Sequence, residues 1–131
     1  NSFKNMIRDL SVDFPDFLIA ITNWYGIVPQ EGYFENKDDH AGELETSVMM
    51  YYHPELVNLD EAGEGTSKPF ALSSLNAQIA WLPRYWSKVS ADTGIGDPRK
   101  STPEKGERYA KAVIEKLALL FTEIGSKEVY L

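Results

Sequence analysis

The sequence contains no cysteine among its 131 residues. Disulfide bonds, thiolate nucleophiles and thiolate metal ligands are therefore excluded for these residues. Histidine is nearly as scarce, since His40 and His53 are the only two. Any imidazole chemistry that this chain performs must come from one of them.

Long apolar runs and an excess of positive charge are also missing. Apolar runs such as residues 17–21 fall far short of the ~20 residues that span a bilayer. The net charge of −7 disfavours binding to nucleic acid or to an anionic membrane, because both attract basic patches. We therefore expect about one domain that binds neither nucleic acid nor membrane, and we place it in the cytoplasm.

The first thirty residues have the pattern of an α/β protein. Apolar residues recur at helical spacing over residues 2–12, and Pro15 prevents the helix from continuing. Residues 17–23 are almost entirely apolar, which is typical of a strand buried on both faces of a parallel sheet. Ligands of such sheets bind beyond the carboxyl ends of the strands, where Trp24 follows. Trp24 is therefore either a pocket wall or a core residue.

The last helix is predicted from its capping residues. Ser101 and Thr102 can accept from the first backbone N–H groups, Pro103 suits the first turn, and Gly125 can end the helix. Its predicted buried stripe consists of Ala110, Val113, Ile114, Leu117, Leu120, Phe121 and Ile124.

Polar residues are concentrated in residues 38–50, at the start of another predicted helix. Asp38 and Asp39 can cap this helix, and Gly42 leaves room for a group to approach its first turn. Counting 100° per residue, Glu45 lies at the edge of an apolar stripe, while Glu43 points nearly the opposite way. A carboxylate at such an edge needs a cation, a metal or several hydrogen-bond donors.

Three stretches carry a resemblance to a known family. Residues 40–47, His-Ala-Gly-Glu-Leu-Glu-Thr-Ser, resemble the signature of the creatininase (creatinine amidohydrolase) family. Residues 93–98 and 101–106, which contain Gly-Asp-Pro and Glu-Lys-Gly, are similar to its late motif. The match runs in order from the first residue to the end of the last helix.

The resemblance implies a three-layer α/β/α fold with a mainly parallel sheet. It covers only the second half of the family's chain, since the first half, with most of the metal ligands, has no counterpart here. We therefore expect residues 1–131 to be the C-terminal half of a single creatininase-like domain. Family members are commonly oligomeric, so the resemblance also implies a homo-oligomer, hexameric in the family.

The implied activity is that of a metal-dependent amidohydrolase. Two divalent ions, Zn, Mn or Fe, would activate water to hydrolyse a C–N bond of a cyclic amide, a formamide or a small peptide-like substrate. We expect Glu45 to be a metal ligand, with Glu43 as the second choice. His40 is the expected general acid or base, and Asp39 would orient it.

Two further positions bear on the substrate. The resemblance places Trp24 beside it, and a second tryptophan of creatinine-cleaving members is replaced here by Asn36, which argues against creatinine itself. The aromatic cluster at 81–86 is either a loop packed on its own core or an interface. The alternative to an enzyme is a non-catalytic creatininase-like module that binds another protein.

Overall fold

The computed structural model describes residues 2–130, so Asn1 and Leu131, the two ends of the predicted domain, lie outside the described residues. Within this range the chain forms five α-helices, which we name α1 to α5. Their bounds are α1 Ser2–Asp13, α2 Glu43–Tyr52, α3 Ser73–Asn76, α4 Trp86–Val89 and α5 Pro103–Ser126. Short 3-10 turns lie at Trp24–Gly26, Pro54–Leu56, Leu59–Glu61 and Pro98–Lys100.

The core lies where α2 packs across the N-terminal half of α5. Its buried apolar side chains include Leu44 from α2 and Tyr109 and Val113 from α5, and Val28 joins them from the loop before α2. Gly106 allows this close contact, because a Cβ atom there would lie 2.0 Å from the backbone oxygen of Ser47. The start of α5 is therefore held directly against α2.

The predicted helices are confirmed, but their apolar faces are less buried than expected. Helix α1 has no buried residue. In α5 the predicted stripe is buried at Ala110 and Val113, whereas Ile114 and Phe121 are 53% and 67% exposed. Beyond Leu117 the stripe has no cover within residues 2–130, and its predicted burial is wrong for this chain.

The predicted strand at 17–23 is not a strand in the structure. Residues 18–23 have no regular secondary structure, and the described residues form only isolated bridges, with no sheet. A strand exists only when a neighbouring strand receives its hydrogen bonds, and no such neighbour occurs within residues 2–130. The three-layer arrangement around a parallel sheet is therefore not seen in this chain.

No helix within the described residues is both long and apolar enough to cross a membrane.

Candidate functional site

The polar segment before α2 is folded back on the first turn of that helix. The carboxylate of Asp38 accepts a hydrogen bond from the backbone N–H of Leu44 at 2.8 Å, so Asp38 caps α2 as predicted. Gly42 allows this approach, because a Cβ atom there would lie 2.2 Å from the Cβ of Asp38. Gly96, with φ +133°, also lies against Asp38, because a Cβ atom there would lie 2.4 Å from the Cβ of Asp38. Burial raises the pKa of Asp38 above its ordinary value.

His40 is fixed through its backbone and half-exposed through its side chain. Its N–H and C=O groups exchange hydrogen bonds with Ile95 at 3.0 and 2.8 Å. The imidazole Nδ1 lies 3.7 Å from a carboxylate oxygen of Glu45, and the ring centre lies 5.0 Å from that of Trp86. His40 and Glu45 are therefore neighbours in one open site.

Asp39 contacts a different partner from the one that we expected. Its carboxylate accepts a hydrogen bond from Arg84 at 2.9 Å, and the guanidinium of Arg84 lies 5.5 Å from the ring centre of Trp86. Within residues 2–130, Asp39 makes no hydrogen bond to His40. The carboxylate beside the imidazole is that of Glu45.

Glu43 has the opposite orientation from the predicted one. Its side chain is fully buried, and one carboxylate oxygen accepts from the backbone N–H groups of Glu35 and Asn36 at 2.9 and 2.8 Å. The other oxygen pairs with Lys105 on α5. The predicted orientation is wrong because α2 faces α5 with a surface that is partly polar. Both carboxylate oxygens of Glu43 are therefore occupied by internal contacts.

Other polar residues of the motif also connect α2 to α5. The hydroxyl of Ser47, which is fully buried, accepts from the backbone N–H of Thr102 at 3.3 Å. The hydroxyl of Ser101 donates to the backbone oxygen of Glu43 at 3.2 Å. The two sequence stretches that resemble family motifs are thus joined in space.

Trp24 is positioned by α5. It lies in the 3-10 turn after the apolar segment, and its ring centre is 6.5 Å from that of Tyr109. The buried hydroxyl of Tyr109 donates to the backbone oxygens of Tyr25 and Val28 at 3.1 and 2.9 Å. Tyr109 was not identified from the sequence, although its place beside Ala110 in the apolar pattern of α5 was a signal.

Two cavities meet at Glu45. One has a volume of about 390 Å³ and is lined by Trp24, Glu45, Val48, Met49, Tyr52 and His53. The other has a volume of about 460 Å³ and is lined in part by Glu45, Thr46 and Asp92. Trp24 and Glu45, which were predicted to lie in one site, therefore face the same cavity.

Asn36 is held by the structure around it. Its backbone N–H is bound by Glu43, and its side-chain amide lies 3.4 Å from the backbone oxygen of Asp97. The site residues that sequence reasoning did not identify are Arg84 and Trp86. Both lie in the aromatic cluster at 81–86, and that cluster was the available signal.

The side chains around His40 offer few donors for a metal ion. The described residues contain no group of three or more histidine and acidic side chains that could hold an ion. His40 and Glu45 supply two donors, whereas catalytic zinc sites use three protein ligands. Residues 2–130 alone therefore do not fit a complete metal centre.

The chain is similar to two solved structures. One is a protein from Bacteroides fragilis NCTC 9343 described as a candidate creatinine amidohydrolase, with 61% identity and a TM-score of 0.95 over 100% of this chain and 52% of that chain. The other is a creatininase with a tryptophan-to-phenylalanine substitution, with 20% identity and a TM-score of 0.68 over 92% of this chain and 48% of that one. This chain spans about half the length of both.

Both of these similar structures have a creatininase-like fold. The family model described as creatinine amidohydrolase matches residues 1–121, and the chain belongs to the creatininase family. Among curated proteins, none matches the sequence.

Proposed function

We propose that this chain supplies the proton-transferring residue and one wall of the substrate cavity of a creatininase-type amidohydrolase. The observation that carries the proposal is the state of the motif at 40–47. Glu43 and Ser47 are fully buried in internal contacts, whereas the imidazole of His40 is half-exposed, and its polar neighbour Glu45 is 3.7 Å away. The contacts around the motif thus leave the imidazole of His40 and the carboxylate of Glu45 open to solvent.

An imidazole suits amide hydrolysis for a chemical reason. The leaving nitrogen must receive a proton, and the ordinary pKa of imidazole allows proton transfer near neutral pH. The position of Glu45, with a carboxylate oxygen 3.7 Å from Nδ1 of His40, supports this carboxylate as the group that orients the imidazole. Asp39, which was expected in that role, would act indirectly, by holding Arg84 against Trp86.

The substrate class follows from the cavity beside Glu45. Its volume of about 390 Å³ suits a small molecule, and Trp24 gives it a flat apolar wall. We propose a cyclic amide, a formamide or a small peptide-like compound whose C–N bond is hydrolysed. Asn36 makes creatinine itself the less favoured member of this class.

A metal requirement remains part of the proposal and rests on family membership. Glu45 is the residue of this chain best placed to contribute a ligand. Its Oε2 accepts from the backbone N–H of Ala41, but residues 2–130 offer no hydrogen bond to its Oε1, which stays available to a metal. Further ligands would have to come from outside the described residues. The identity of the ions, with Zn, Mn and Fe expected, is a matter for metal analysis.

The exposed apolar surfaces support a larger assembly. Helix α1, residues 18–23 and the C-terminal half of α5 lack cover within the described residues, and the chain spans half the length of its solved relatives. We propose that residues 18–23 become a strand of a mainly parallel sheet when the other half of such a domain is present. The same surfaces leave room for contacts between copies in a homo-oligomer.

The test is a pair of single variants in the protein as its gene encodes it. We expect His40→Gln to lower the turnover of creatinine, a cyclic imide and a formamide panel by about 10²-fold or more. Lys111→Gln is the control, since Lys111 pairs with Glu107 on the exposed face of α5 and lines neither of the two cavities that meet at Glu45. Equal turnover in both variants would exclude His40 from the reaction.

One observation favours a second function. Because residues 2–130 contain no complete ligand set and expose apolar helix faces, the chain could serve as a non-catalytic module that binds another protein. Metal analysis distinguishes the two functions. A purified protein that retains no divalent ion and hydrolyses no member of the panel would support the module.

A further inference from the structure

The residue after His40 has an unusual backbone conformation. Ala41 has φ +51°, in the left-handed region that side chains with a Cβ atom avoid. Ala41 is exposed, so core packing does not force this conformation on it. Some other interaction must hold it.

Two side chains from the first turn of α2 bind both polar backbone groups of Ala41. The N–H of Ala41 donates to Oε2 of Glu45 at 2.6 Å. The hydroxyl of Thr46 lies 3.4 Å from the backbone oxygen of Ala41 and is oriented to donate to it. On the other side, His40 is paired with Ile95. The turn at Ala41 is therefore held by the His40–Ile95 hydrogen bonds on one side and by the first turn of α2 on the other.

We propose that Glu45 and Thr46 are positioning residues that hold Ala41 in its left-handed conformation and thereby direct the imidazole of His40 toward Trp86 and the open site. Rotation about φ of Ala41 changes the direction in which the chain leaves His40 for α2. If Ala41 left this conformation, the hydrogen bonds between His40 and Ile95 and the hydrogen bond from Leu44 to Asp38 could not all keep their geometry. Strain of this kind is found at functional sites when neighbouring contacts support it.

This inference gives Glu45 a role that does not depend on a metal. The Oε2 atom serves the turn, while the Oε1 atom remains available to a ligand in either cavity. The geometry of His40 can be measured without substrate, so the positioning role and the proposed function can fail separately.

The experiment uses the full protein labelled with 5-fluorotryptophan and reads the fluorine resonance of Trp86, assigned by its loss in Trp86→Phe. The ring of His40 contacts Trp86, so His40→Ala defines the shift that accompanies loss of this contact. We expect Glu45→Ala to reproduce most of that shift. Thr46→Val should shift the resonance in the same direction by a smaller amount.

Substitutions at Ala41 test the mechanism itself. Glycine adopts positive φ without cost, so Ala41→Gly should return the resonance of the Glu45→Ala protein toward its wild-type position. Ala41→Val should imitate Glu45→Ala, because a β-branched residue resists the left-handed region and the site is exposed. Glu61→Ala is the control, since Glu61 lines the same larger cavity as Ala41 but makes no hydrogen bond to the turn within residues 2–130.

The outcomes separate the two roles of Glu45. Glu45→Gln keeps an acceptor for the N–H of Ala41, so it should preserve the Trp86 resonance whether or not bound metal is lost. A wild-type resonance in Glu45→Ala would overturn the proposal, as would failure of Ala41→Gly to restore it. If Glu45→Ala does not fold, Thr46→Val and Ala41→Val decide the question, and wild-type resonances in both would overturn it.

Discussion

The ammonium group of Lys105 on α5 lies 2.5 Å from a carboxylate oxygen of Glu43, a residue in the first turn of α2 that has no exposed surface. The same ammonium binds the backbone oxygen of Lys100 at 2.9 Å. The pKa of Lys105 is raised above its ordinary value, chiefly by the hydrogen bond to Glu43. This pair fixes the helix that follows His40 against the core.

Removal of Lys105 should therefore be costly. Lys105→Met leaves a buried carboxylate without its cation, and we expect a loss of about 3 kcal/mol in the free energy of unfolding. The double variant Lys105→Met/Glu43→Gln should recover part of this loss because the buried charge is gone. Urea unfolding of the full protein measures the free energy of unfolding of the wild type and of these two variants. The control Lys100→Met removes an exposed pair with Glu35 and should change stability much less.

Two glycines of α5 provide a matched comparison. Gly106→Ala places a Cβ atom 2.0 Å from the backbone oxygen of Ser47, and we expect a loss of about 1–3 kcal/mol because backbone atoms must move. Gly125→Ala meets nothing within 4 Å and should be neutral or stabilise by up to about 1 kcal/mol through helix propensity. Thermal unfolding compares them. Similar effects at both positions would show that helix contact does not explain Gly106.

Features that depend on neighbouring residues could be predicted from the sequence. Thr102 accepts a hydrogen bond from the backbone N–H of Lys105, and Pro103 begins α5, as expected from their order. Asp38 caps α2, and Gly42 makes room for it. The direction of Glu43 could not be predicted, because helix phase was judged from apolar residues. The buried face of α2 includes both Glu43 and Ser47, which hydrophobicity alone assigns to the surface.

Features that depend on distant residues were missed or remain predictions. The segment 17–23 has the composition of a strand, but composition cannot supply the neighbour with which a strand must pair. The contact between Trp86 and His40 joins positions 46 residues apart, and no local pattern indicates it. The roles of Trp24, Asn36, Asp39, His40 and Glu45 in binding and catalysis stay predictions that the variants above can test.

The ion pair of Asp97 should give stability a specific dependence on pH. Arg99 binds both carboxylate oxygens of Asp97 and lowers its pKa from 3.8 to about 2. The unfolded chain therefore binds a proton more readily, so this contribution is full above about pH 4 and is lost as the pH falls toward 2. We expect Asp97→Asn to lower the melting temperature at pH 6 and to narrow its difference from wild type at pH 2.5. Asp16→Asn, at an exposed position, should show no such convergence.

Tyr109→Phe tests how α5 positions the aromatic wall of the proposed substrate cavity. The change removes only the hydroxyl that binds the backbone oxygens of Tyr25 and Val28, while the ring stays in the core. The hydroxyl shares its one proton between these two oxygens, so we expect a loss of about 0.5–1.5 kcal/mol in the free energy of unfolding. Tyr130→Phe is the control because Tyr130 is 87% exposed.

A second measurement on the same variant addresses function. If the hydroxyl fixes the turn at Trp24–Gly26, the indole of Trp24 should become more mobile, and collisional quenching of its fluorescence by acrylamide should increase. Substrate affinity should then weaken, with a higher KM and a smaller change in kcat, because Trp24 would bind substrate without reacting with it. A normal KM together with increased quenching would separate Trp24 from the substrate. That result would leave the larger cavity, lined by Glu45 and Thr46, as the place where substrate binds.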